Sequence, residues 1–123
     1  MKAVFIASTE FTAWVSRYLP DESYAELQQE LMIRPEKGAV MPGCGGLRKI
    51  RTADPKRSKG KRGGARVIYL YVAEAKWFFL LDIYGKDEKD DLSAGEKKSL
   101  SKLANELKRQ AKAAVRRRSR RKQ

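Results

Sequence analysis

Residues Ala65–Tyr84 read ARVIYLYVAEAKWFFLLDIY. Two runs rich in Val, Ile, Tyr, Phe and Trp flank a few small and polar residues around Ala73–Ala75. That pattern predicts two strands, Ala65–Val72 and Lys76–Tyr84, joined as a hairpin. The near-continuous apolar character predicts strands covered on both sides. Trp77, Phe78 and Phe79 are consecutive and must point to alternate faces, so most of them belong to packing.

Working outward, Leu47–Thr52 (LRKIRT) is a third strand in which cations alternate with apolar residues. Between it and Ala65 lies a loop made almost wholly of Lys, Arg, Gly, Ser and Pro. Further upstream, Lys2–Ala7 is a short apolar strand, and Ser8 or Thr9 is placed to cap a helix. Phe11, Trp14, Val15 and Tyr18 form one helical stripe that Pro20 ends. Asp21 is placed to cap a second helix with Tyr24, Leu27, Leu31 and Met32 on one face. Arg34-Pro35 stops that helix, because the residue before proline avoids the helical region. Glu36–Gly46 reads as a Gly/Pro-punctuated loop. Downstream, Ser93 and Glu96 form an S-x-x-E capping box for a last helix. Leu100, Leu103, Leu107 and Ala111 are its expected seam. From Lys108 onward the chain is overwhelmingly basic.

The order is therefore β-α-α-β-β-β-α. It predicts an α+β fold with two helices on a mostly antiparallel four-stranded sheet, followed by a C-terminal helix with a basic tail. The expected division is a folded domain over residues 1–107 and a basic extension over 108–123, which should fray when free.

Composition narrows the chemistry. The chain has 123 residues, 28 Lys and Arg against 15 Asp and Glu, and a formal net charge of +13. Such a balance favours an anionic partner. No apolar run approaches the ~18 residues of a membrane span, and the N-terminus lacks the pattern of a signal peptide. The expected location is cytoplasmic, with no membrane partner. The single cysteine, Cys44, cannot form an internal disulfide. The chain has no histidine. That excludes Ser-His and Cys-His nucleophile systems and the usual zinc sites, so no metal site is expected. Any acid–base work must fall to Lys, Arg, Tyr, Asp or Glu.

Side chains alternate along a strand, so Lys49 and Arg51 share one face and Arg48 the other. Arg66 opens the middle strand. Tyr84 and Lys86 share a face if the third strand continues that far. A sheet surface collecting Lys49, Arg51, Arg66, Tyr84 and Lys86 suits a phosphate: arginine forks onto its oxygens, and lysine adds a compact charge. Solvated edges of a basic protein are the plainer explanation of the same residues. The basic loop, with Lys56, Arg57, Lys59, Lys61 and Arg62, is the expected grip on a nucleic-acid backbone, with Arg48 alongside. A charged, solubilising hairpin loop is its plain alternative.

Three elements, GGLRKIR (45–51), GKRGGARVIY (60–69) and IYGK (83–86), occur in this order. They resemble the RelE/HigB family of bacterial type II toxin–antitoxin toxins, most closely its HigB branch, over roughly Met1–Leu107. The resemblance implies a RelE/ParE-like fold and a ribosome-dependent endoribonuclease, an mRNA interferase, with no cofactor. It implies a small antitoxin partner, HigA-like, that blocks the toxin. Operator DNA would be met only through the antitoxin complex.

In the implied reaction the RNA's own 2′-hydroxyl attacks the adjacent phosphate. This needs a base, positive charge at phosphorus and an acid for the leaving oxygen. By resemblance Lys49 and Arg51 are the paired basic positions, Arg66 contacts the scissile phosphate, and Lys86 belongs to a basic cluster after the last strand. Lys49 is the candidate base, since cationic neighbours favour a neutral lysine. The best-known RelE members carry a basic residue directly after the Lys86 position and a tyrosine a little beyond. Here Asp87 and Leu92 stand there, which turns attention to Tyr84 or Lys86 as the acid. The rival readings are a ParE-like toxin acting on gyrase and a non-catalytic ribosome- or nucleic-acid-binding module.

Overall fold

The computed structural model describes residues 2–53, 64–85 and 92–121. Its elements are β1 (Val4–Ala7), α1 (Thr9–Tyr18), α2 (Asp21–Ile33), β2 (Ala39–Val40), β3 (Arg48–Thr52), β4 (Ala65–Val72), β5 (Trp77–Gly85) and α3 (Ala94–Arg121). The strand order is β1-β5-β4-β3-β2. β1 runs parallel to β5, and the other pairs are antiparallel. The architecture is α+β, as expected, but the sheet has five strands and is mixed.

The additional strand lies in the stretch read as a loop. Ala39 faces Lys49 and Val40 faces Arg48. Two residues are too few to show a period of two, so the strand is invisible in the sequence. The return to β3 uses Gly43, Gly45 and Gly46 at φ values of 72°, 71° and 99°. Gly45 is required twice over. Its backbone is left-handed, and a Cβ there would come within 3.0 Å of Ala104 and of the Ser101 backbone on α3.

Each face of the sheet carries its own core. On one face α1 and α2 bring Phe11, Tyr18, Leu27 and Leu31 against Ile50, Val67, Tyr69, Phe78, Leu80 and Ile83. On the other, α3 covers Leu47, Ile68, Leu70, Val72 and Phe79. Burying each large side chain contributes about 1.5–3 kcal/mol. The aromatic triplet divides as alternation requires: Phe78 faces α1 and α2, while Trp77 and Phe79 pack on the α3 side.

The helix ends follow local chemistry. Ser8 Oγ accepts from the Phe11 backbone N–H and donates to Leu81 O at 2.7 Å, fixing α1 to β5. Asp21 is the first residue of α2 rather than its cap. Pro20 occupies the cap and gives no side-chain hydrogen bond. The capping box is present: Glu96 Oε1 accepts from Ser93 N–H at 3.0 Å, and Ser93 Oγ accepts from Glu96 N–H at 3.1 Å.

Two helix stripes need correction. Trp14 is 38% exposed and lies under the Arg17 guanidinium, 4.5 Å from the ring centroid, outside the core of α1. Leu103 is 42% exposed. The seam of α3 is Leu100, Ala104, Leu107, Ala111 and Val115, and the small Ala104 admits the close approach of Gly45. The basic stretch after Lys108 is helical as far as Arg121 and continues α3 without a break.

Candidate functional site

The register of β3, β4 and β5 assembles the site. Arg51 faces Arg66, and Arg66 faces Tyr84, so one row of three crosses the sheet. The next row toward α3 is Lys49, Ile68 and Asp82. An irregularity between Ile68 and Tyr69, where β5 advances one extra residue, keeps Asp82 and Tyr84 on this face. The face is the α3 side, because Ile68 and Tyr84 both belong to that core. α3 covers its Leu70–Phe79 end and leaves the cationic end beside the start of the helix.

Burial grades along the row. Arg51 is exposed, Arg66 is 7% exposed and Tyr84 is 8% exposed. Nη1 of Arg66 donates to the Gly64 carbonyl at 2.8 Å, which holds the guanidinium near the beginning of its own strand. Cations directly opposite on neighbouring strands repel. Arg51 and Arg66 are such a pair, with Lys49 two residues along. An anion between them would turn this repulsion into attraction.

A cleft of about 390 Å³ opens next to the row. Ala39, Val40, Met41, Pro42, Cys44 and Leu92 supply mostly apolar walls, and Lys49 and Lys97 stand in its lining. Sequence reading missed this cleft, because β2 forms one wall and could not be seen as a strand. Leu92, which takes the place of the expected tyrosine, lines it.

Tyr69 supports the arrangement from the opposite face. Its hydroxyl accepts from Gly38 N–H and donates to Pro35 O, each at 2.9 Å. Burial raises its pKa above the ordinary value. A Cβ on Gly38 would meet the Tyr69 ring at 2.7 Å and Lys49 O at 3.1 Å, so glycine is needed for this approach. The contact pins the chain entering β2 against the backbone of Lys49.

Arg48 is not brought to the row. It lies on the α1–α2 side, and its guanidinium donates to the carbonyls of Gly38 at 2.8 Å and Glu36 at 3.0 Å. It also pairs with the Glu36 carboxylate at 3.4 Å. These bonds make it a clamp on the β2 connection. Lys86 and the loop cations Lys56, Arg57, Lys59, Lys61 and Arg62 lie outside the described residues.

A mixed five-stranded sheet flanked by helices, with Lys49, Arg51 and Arg66 together on one face, defines a small α+β protein. The chain matches the family model described as the RelE toxin of the RelE/RelB toxin–antitoxin system over residues 12–123, and it belongs to that family of toxins. Toxins of this family pair with antitoxins. Among the described residues, no helix is long and apolar enough to cross a membrane.

Proposed function

We propose that this toxin is a ribosome-dependent mRNA endoribonuclease whose reaction centre is the face carrying Lys49, Arg51, Arg66 and Tyr84. The observation that carries the reading is the facing register of Arg51, Arg66 and Tyr84. It gathers an exposed cation, a buried one and a phenol on one face of the sheet, an arrangement suited to a single phosphodiester. The elements GGLRKIR, GKRGGARVIY and IYGK further support the HigB branch of the family.

In this mechanism Lys49 takes the proton of the ribose 2′-hydroxyl. The 2′-oxygen attacks phosphorus, and the P–O5′ bond breaks, giving a 2′,3′-cyclic phosphate and a 5′-hydroxyl. Arg66 and Arg51 stabilise the charge that grows on the phosphoryl oxygens, which is the largest contribution a fixed cation can make. Tyr84 or Lys86 protonates the departing 5′-oxygen. The apolar cleft beside Lys49 takes a neighbouring nucleobase. The ribosome aligns the mRNA so that the 2′-oxygen, phosphorus and 5′-oxygen come into line. A HigA-like antitoxin, carrying acidic residues, would mask the same face and connect the toxin to operator DNA.

The test is cleavage of mRNA on programmed ribosomes, mapped by primer extension. Wild type is expected to give discrete, ribosome-dependent cuts. Arg66→Ala should lower the rate about 10²–10³-fold, as loss of a charge-stabilising donor does, while ribosome affinity falls only modestly. Ribosome binding without any cuts by wild type would overturn the reading. An equal loss of binding and rate would make Arg66 an ordinary phosphate contact.

A further inference from the structure

We infer that the C-terminal end of α3 is a second RNA-binding element, an arginine-rich helical arm that grips a ribosomal RNA backbone away from the reaction face. The choice of ribosomal RNA rests on the ribosome-dependent reading above; the arm itself rests on different observations.

α3 has 28 residues, about 42 Å of helix at ~1.5 Å per residue. Its beginning borders the reaction face, since Leu92 and Lys97 line the same cleft as Lys49. Its packing seam ends at Val115. The helix nevertheless continues to Arg121, and all six residues from Arg116 to Arg121 are exposed. Five of those six are arginine. No acidic residue follows Glu106 anywhere in the chain.

The cations just before it already have partners, on α3 itself or on the sheet and its loops. Arg109 pairs with Glu106, Lys108 donates to Gly45 O, and Lys112 pairs with Glu74 at 3.4 Å. The charge beyond Val115 therefore does not serve packing. It also works against the helix: Lys112–Arg116, Arg116–Arg120 and Arg117–Arg121 are like-charge pairs at i,i+4. The negative end of the helix dipole offsets part of that repulsion. A polyanion would remove it entirely.

Arginine forks match phosphate oxygens, and a short helix ringed by them meets several phosphates of a folded RNA without reading its sequence. Because α3 is continuous, the arm is joined through one helix to the edge of the cleft beside Lys49. Binding at the arm raises the effective concentration of the reaction face near its mRNA.

The experiment uses the full chain and a variant with Arg116, Arg117, Arg118, Arg120 and Arg121 all replaced by glutamine. Glutamine keeps helix propensity and removes the repulsion, so the variant should fold. Affinity for purified ribosomes is measured as a function of salt, and cleavage in single turnover at saturating ribosomes. The variant should bind at least ten-fold more weakly near ~0.1 M salt, and its log K against log salt slope should be shallower by about 0.7–0.9 for each phosphate that it no longer neutralises. Its saturated cleavage rate should match wild type. A matching arginine-to-lysine variant should retain the slope. An unchanged slope in the glutamine variant would overturn the proposal. So would an unchanged ribosome affinity accompanied by weakened antitoxin or duplex-DNA binding. If wild type cuts nothing but the slope still falls with the five substitutions, the arm stands and only the ribonuclease reading is lost.

Discussion

At the scale of single residues, Tyr69 and Arg66 show how differently a buried polar side chain can be used. The Tyr69 hydroxyl both donates and accepts, and the side chain is fully buried. Replacing it with Phe leaves the Gly38 N–H and the Pro35 carbonyl without this partner, which costs about 1–3 kcal/mol. Urea denaturation should show the loss as a lower midpoint. The residue also sets an alkaline limit. Burial raises its pKa above 10.0, as it does for Tyr24. The protonated form is the one the fold favours, so the associated stability is complete below about pH 10 and is lost as pH rises above it. Tyr69→Phe should flatten that alkaline decline, leaving the part due to Tyr24. A decline as steep as wild type would refute the linkage. Arg66 is buried on the opposite face, where its guanidinium donates to the Gly64 carbonyl and its ladder neighbour is Arg51. The alternation of β3 showed in advance that Lys49 and Arg51 share a face. That Arg66 and Tyr84 fall in register with Arg51 required the ladder itself.

At the scale of elements, capping and turn chemistry make two further expectations. Ser93 is half of a reciprocal capping box that begins α3 next to the candidate site. Ser93→Ala should cost about 1 kcal/mol, read as a drop in thermal midpoint. In the β4–β5 hairpin, Lys76 has φ 56°, a left-handed conformation that side chains other than glycine adopt at a cost. Lys76→Gly should therefore stabilise the protein by up to about 1 kcal/mol, and Lys76→Val should do the reverse. A lower midpoint for the glycine variant would show that the turn is not strained. Both hairpin strands and the three helices were legible because their apolar residues repeat over many positions. β2 was not, because two residues carry no period. Ala111 belongs to the seam of α3 as its spacing suggested, but Leu103 does not: close approach of Gly45 selects the small residue Ala104 beside it.

At the scale of the whole molecule, a net charge of +13 sets up repulsion that the fold must overcome. Raising salt from about 0.05 to 0.5 M shortens the screening length severalfold, so the thermal midpoint should rise. Short RNA that binds only the folded form should raise it further at low salt. A midpoint that falls with salt would mean that attractive ion pairs dominate instead. The sequence alone determined the α+β class, the order of its long elements, the excess of positive charge that favours an anionic partner and the exclusion of histidine chemistry. Each of these follows from composition or from periodicity within one segment. Tertiary structure decided the parallel pairing of β1 with β5, the row Arg51–Arg66–Tyr84, the apolar cleft beside Lys49 and the clamp that Arg48 forms on the β2 connection. These depend on register and on packing between segments distant in the chain, where the energy lies in contacts that no single segment contains.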